Sequence, residues 1–178
     1  MAKTNVEKVL NQFGKYIIQQ SKSNLTREKH KDTSVLYNSL GYDLKVSKRQ
    51  SIELTINMEE YGAYLDKGVK GKVSTTKAPK SPYRFGTGTG KKGGLTKSIL
   101  GWVTRKRFQF RKPDGTFASF KQTAFTIARS IYLTGLKTTN FLTTPFERAF
   151  KRLPDEIVEA YALDMDKFFE TTRKNARI

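Results

Sequence analysis

The chain has 178 residues, 37% of them hydrophobic, no cysteine, and a formal net charge of +18. Without cysteine it forms neither disulfides nor thiolate metal sites, and no run approaches the roughly 18 apolar residues of a membrane-spanning helix. The length suits a single domain (residues 1–178) with an arm or a large loop, and it is enough to bury a real core.

The first residues lead straight into an amphipathic pattern, with no apolar signal segment, which points to synthesis in a cytoplasm. Val6, Val9, Leu10, Phe13, Tyr16 and Ile17 recur at three- and four-residue spacing and predict a helix over about residues 5–23, in which Gly14 costs helicity. A charged link follows, Thr26 to Thr33, and then a short apolar segment, Ser34 to Leu40. Two alternating stretches predict a β-hairpin, with Tyr42, Leu44 and Val46 opposite Ile52, Leu54 and Ile56, and Ser47 to Gln50 between them. Glu59 and Glu60 suit the start of a short helix that Gly68 caps.

Residues 70–94 are rich in Lys, Gly, Thr, Ser and Pro and predict a long loop, mobile unless a partner orders it. Leu95 to Arg107 reads as a helix with Ile99, Leu100, Trp102 and Val103 on its apolar face. Aromatic residues flank the turn signal Lys112-Pro-Asp-Gly-Thr, which predicts a second hairpin over 108–120. Gln122 to Leu133 is helical, and residues 135–139 form a turn. A further helix begins near Phe141, with Thr144 as N-cap and Pro145 at its first position. A last helix runs over about 154–174, with Ile157, Val158, Tyr161, Phe168 and Phe169 apolar. The pattern as a whole predicts an α+β fold: a small antiparallel sheet packed with several helices, plus an extended basic loop at about 70–120.

Charge is segregated along the chain. Residues 67–146 hold 17 Lys and Arg against a single acid, Asp114, so this block carries +16 of the +18. Its cations include Lys67, Lys70, Lys72, Lys77, Lys80, Arg84, Lys91, Lys92, Arg105, Lys106, Arg107, Arg111 and Lys112. Like charges held close repel, so the block predicts an anionic counterpart: nucleic acid, an anionic membrane or an acidic protein. Aromatics interleave with it at Tyr83, Phe85 and Trp102 to Phe110, where bases can stack. Helical spacing favours the simpler reading, in which Trp102, Phe108 and Phe110 pack in the core.

No catalytic set emerges. The run from Phe85 to Gly94 invites a phosphate-loop reading, but that motif needs Gly where Phe85 stands and Ser or Thr where Lys92 stands. His30 is the only histidine and lies in the charged link near Asp32. Glu59, Glu60 and Asp66 are the one carboxylate group to weigh for a metal-dependent nuclease, and helix-end electrostatics explains the Glu pair more simply. The residues call for no cofactor and predict no enzyme.

Three short motifs stand in a fixed order: Leu36-Tyr-Asn-Ser39-Leu40 before the hairpin, Tyr61-Gly-Ala-Tyr64-Leu-Asp66-Lys-Gly68 after it, and Pro145-Phe146-Glu-Arg-Ala149 much later. The series resembles the head–tail joining, neck and tail-completion proteins of tailed bacteriophages. There, an L-x-x-S-[IL] segment, a Y-x-x-[YF]-[VL]-[DE]-x-G helix end and a P-F-x-x-A helix occur in the same order. The resemblance spans residues 32–150; the chain departs from compact members in the length of its 70–120 region. It implies a virion component of the neck or tail, made in the host cytoplasm. Such a protein forms a ring with its own copies and docks on portal, neck or tail proteins, with no membrane and no catalysis. The basic block would then face neighbouring subunits or the double-stranded DNA of the channel. The alternative from the residues alone is a non-specific nucleic-acid-binding protein.

Overall fold

A computed structural model describes residues 4–28, 34–47, 51–88 and 93–175. In chain order its elements are α1 (Asn5–Arg27), α2 (Val35–Ser39), β1 (Gly41–Val46), β2 (Ile52–Asn57), α3 (Tyr61–Lys67), β3 (Val69–Lys70), α4 (Gly94–Lys106), α5 (Phe120–Thr134), β4 (Gly135–Leu136), α6 (Thr143–Phe150) and α7 (Leu153–Asn175). The fold is α+β, as the sequence predicts, with two two-stranded antiparallel sheets, β1–β2 and β3–β4. The length suggests one domain; the chain divides into two compact units, Met1–Glu59 with Phe141–Ile178, and Glu60–Asn140.

The first unit is organised by α1. Its face carrying Phe13 and Ile17 packs with Ala149 of α6 and Leu153 of α7, and half-buried Leu54 and Ile56 of β2 close the same cluster. The hairpin has the expected register, with Tyr42 opposite Ile56, Leu44 opposite Leu54 and Val46 opposite Ile52. Alternation therefore puts one face of β2 inward and leaves Glu53 and Thr55 exposed. Gly14, which weakens helicity, is there for a steric reason. A Cβ at this position would lie 2.6 Å from the ring of Tyr42, so only glycine lets the hairpin approach α1 this closely. The Tyr42 hydroxyl donates to Asn11 Oδ1 at 2.9 Å and fixes the ring in that place.

The start of α1 is held from a distance. An α-helix leaves its first four N–H groups without internal partners. Here Asp164 of α7 accepts from Asn5 N at 2.9 Å and Val6 N at 3.2 Å, Thr4 Oγ1 accepts from Glu7 N, and Thr4 O accepts from Lys8 N. A carboxylate at a helix N-terminus also opposes the positive end of the helix dipole.

Several boundaries differ from expectation: α1 runs on to Arg27, into the expected charged link, and Gly135–Leu136 of the expected turn forms β4. Helix α6 begins at Thr143 after Leu142, so Thr144 is not its N-cap and Pro145 falls within the first turn. Proline is tolerated there because that N–H has no helical acceptor. The hairpin expected over 108–120 is reduced to one bridge, Arg111–Phe117, around a turn. Two backbone hydrogen bonds still join its flanks, Lys112 N to Thr116 O at 2.8 Å and Ala118 N to Phe110 O at 2.9 Å, and the Gln109 side chain donates to Ala118 O; Phe110 N turns instead to Thr123 Oγ1.

Replacing Asp164 with alanine strips the acceptor from two partly buried N–H groups and is expected to destabilise the protein by about 1–3 kcal/mol. Chemical denaturation of Asp164→Ala against the parent protein measures this directly.

Candidate functional site

The basic block lies in the second unit, Glu60–Asn140, which holds 17 Lys and Arg against Glu60, Asp66 and Asp114. Its centre is the C-terminal end of α5. That helix starts on a capping box, with Ser119 Oγ accepting from Gln122 N and Gln122 Oε1 accepting from Ser119 N. At its other end the carbonyls of the last turn need donors. The basic segment supplies them: Lys72 N donates to Tyr132 O at 2.9 Å, and Val73 N and Ser74 N both donate to Leu133 O. Lys77 Nζ reaches Thr134 Oγ1 at 2.9 Å, placing a cation at the negative end of the helix dipole.

Residues 70–85 are thus tied down by their own unit, where the sequence reads as a loop that is mobile unless a partner orders it. Lys70 N donates to Tyr83 O and Lys70 O accepts from Phe85 N, both at 2.9 Å, beside the pairing of β3 with β4. The buried Ser81 hydroxyl donates to Gly68 O at 2.7 Å. The end of α3 is closed the same way: Thr138 and Thr139 hydroxyls donate to Lys67 O and Leu65 O, and Thr139 N and Asn140 N donate to Asp66 O. Gly68 is obligatory at this junction. Its φ is +69°, and a Cβ would lie 2.7 Å from Leu136 O.

The charged ends point outward. Lys67, Lys72, Lys77, Lys80 and Arg84 are exposed and Lys70 is half-buried. Arg105 and Lys106 lie in the last turn of α4, and Arg107 follows in a left-handed conformation with φ +51°; all three are exposed. Arg111 and Lys112 are exposed at the turn, with the Arg111 guanidinium 5.8 Å from the Phe117 ring centre. Lys91, Lys92, His30 and Asp32 fall outside the described residues, as do the central residues of the glycine run. Trp102, Phe108 and Phe110 form a chain of ring contacts at 6.1 and 5.4 Å, but Phe108 and Phe110 stay about 40% exposed, so they are not the core that helical spacing predicts. The core residue of this helix is Val103.

A cleft of roughly 1100 Å³ opens in the same unit. Its walls are aromatic: Tyr64 meets Tyr83 edge-on at 4.5 Å, Phe85 meets Tyr132 at 5.9 Å, and Phe125 lies in the wall 58% exposed. Exposed Arg84 and Arg129 sit among them. Phe125, Arg129 and Tyr132 share one face of α5 at four- and three-residue spacing. That spacing was present in the sequence, but an apolar helix face ordinarily signals core rather than a cleft wall.

The motif residues divide between the units. Leu36, Leu40, Pro145 and Ala149 are buried in the first, Ser39 Oγ accepts from Glu59 N at 3.0 Å, and Phe146 packs edge-on against Phe13 at 5.8 Å. Asp66 and Gly68 are buried in the second, whereas Tyr61 and Tyr64 are over a third exposed. Glu59 and Glu60 are exposed. Among the described residues no three His, Asp or Glu side chains gather as a metal site, and no helix is long and apolar enough to cross a membrane. No protein-family model matches the chain, nor does any curated protein or any solved structure.

Asp114, the acid inside the basic block, shapes its turn. Its Oδ1 accepts from Thr116 Oγ1 at 2.6 Å and from Thr116 N at 2.9 Å, and Gly115 N closes the turn on Lys112 O. The Thr116 hydroxyl, and then its N–H, favour the charged carboxylate and hold Asp114 below the ordinary aspartate range. A depressed carboxyl contributes to turn stability above the ordinary aspartate value and loses that contribution as pH falls through its lowered one. Titration of the Asp114 carboxyl by NMR is expected to show a midpoint below that of an unstructured aspartate, and Thr116→Val is expected to raise it.

Proposed function

We propose that this chain is a structural component of a tailed-bacteriophage neck or tail, which assembles with its own copies into a ring at the head–tail connection and uses its basic unit to contact neighbouring subunits or the DNA that passes through. The carrying observation is the ordered set of three motifs together with the places those residues take. Seven of the ten are junction residues: Leu36, Leu40, Pro145 and Ala149 in packing, Ser39 at the hairpin exit, and Asp66 and Gly68 at the closed end of α3. They define a scaffold rather than a reaction site, which suits a protein whose work is assembly. In this reading the chain is not an enzyme and needs no cofactor.

The preordered basic surface supports the role of a docking face. A segment already fixed by its own unit does not lose the roughly 1–2 kcal/mol per residue of backbone entropy that ordering a loop on a partner costs. Charge on such a face raises the encounter rate and sets orientation more than it adds affinity. The same exposed cations favour a second reading, non-specific nucleic-acid binding, in which each phosphate contacted releases a counterion.

Electron microscopy of the purified protein, alone and mixed with the other virion proteins, is expected to show closed rings. A particle that stays monomeric in both settings contradicts the assembly reading. If that monomer binds duplex DNA with an affinity that falls steeply with salt, the second reading takes its place.

A further inference from the structure

The end of α7 leaves the first unit's core. Leu153, Ile157, Ala160 and Asp164 face α6 and α1, and Asp164 meets the first residues of α1. Beyond Asp164 another 11 residues of α7, about 16 Å at 1.5 Å per residue, continue past that point with only Met165 half-buried among residues 165–173. Val158, Tyr161, Phe168 and Phe169 are each 60–70% exposed. With Met165 they fall on one stripe of the helix, beside the face that packs. Along one edge of that stripe run Asp155, Glu159, Asp166 and Glu170, spaced to form a single acidic ridge. An exposed aromatic stripe of this extent on a helix marks an interaction surface.

We infer that this stripe docks into the aromatic cleft of the second unit in a neighbouring copy of the chain. The inference rests on the ring reading above and names the contact that builds the ring. Chemistry selects the occupant. The stripe is aromatic with an acidic border; the cleft is walled by Tyr83, Phe125 and Tyr132, with Arg84 and Arg129 among its lining residues, in a unit carrying 17 cations against three acids. Two α7 stripes facing each other antiparallel would set their acidic ridges together, whereas stripe on cleft pairs opposite signs around apolar centres. A contact between two different patches is heterologous and repeats from copy to copy, closing into a ring where its rotation allows, while a self-complementary patch stops at a dimer.

The test uses two surface variants of the full chain: Phe168→Gln with Phe169→Gln on the stripe, and Phe125→Glu in the cleft wall. Both keep good helix formers at exposed positions, and circular dichroism checks that each folds. In sedimentation velocity at low salt the parent protein is expected to assemble beyond a dimer, and each variant alone to associate at least tenfold more weakly. Mixed in equal amounts, the variants retain one intact stripe and one intact cleft between them, so they are expected to form a dimer and go no further. Rings that persist in both variants overturn the docking while leaving the ring reading intact. A mixture that gives no dimer, or a Phe125→Glu protein that assembles like the parent, overturns it as well. A parent protein that stays monomeric at every concentration overturns the docking and the ring reading together.

Discussion

Two helix C-termini hold the second unit together. The last carbonyls of α3 and α5 have no acceptor role inside their own helices, and burying them unpaired would cost about 1–3 kcal/mol each. Both ends are closed by segments distant in sequence. Lys72, Val73 and Ser74 close α5; Thr138, Thr139, Asn140 and Ser81 close α3. The exchange is reciprocal, because the connecting segments bring N–H and O–H donors that also need partners. A stretch with few apolar side chains thereby acquires a fixed path, to which buried Ala78 and the ring contacts of Tyr83 and Phe85 add.

That path determines the electrostatics. Backbone groups of residues 70–85 hold the segment and most of its charged side chains stay exposed, although Lys77 also donates to Thr134 Oγ1 and Arg84 to Lys72 O. Some of this charge lies beside helix C-termini, where the dipole favours it, as with Lys77 at the end of α5. The dipole cannot balance 17 cations against three acids, and at low ionic strength the unit repels itself. An anionic surface brought against it relieves that repulsion. The acidic ridge of α7 and the phosphates of DNA are the two such surfaces that the proposed setting offers, and salt weakens contact with either.

Local pattern carried much of the fold. Periodicity located the long helices within a few residues, and alternation gave the β1–β2 register, since a slip of one residue would turn Leu54 and Ile56 away from the core. What stayed hidden was non-local. The Asp164 carboxylate looks like one more surface acid until the fold brings it to Asn5, 159 residues away. Gly14 looks like a flaw in α1 until the Tyr42 ring is placed against it. The 70–85 segment looks structureless because its order comes largely from hydrogen bonds to the ends of α3 and α5, and these leave no trace in hydrophobic pattern. The turn at Lys112 to Thr116 was legible and its flanks do meet, but the pairing stops at Phe110, whose N–H donates to Thr123 Oγ1 of α5. Of the candidate site, the cations were plain from composition; the cleft was not, because its wall residues Phe125 and Tyr132 look in sequence like an ordinary core face.

The basic segment is ordered by its own chain before any partner arrives. Hydrogen–deuterium exchange on the isolated protein, read residue by residue, tests this most directly. The amides of Lys70, Lys72, Val73 and Phe85 are predicted to exchange about as slowly as those in the middle of α5, because each donates to a carbonyl of the same unit. Exchange at the rate of an unstructured peptide across these residues, while α5 stays protected, would contradict the account.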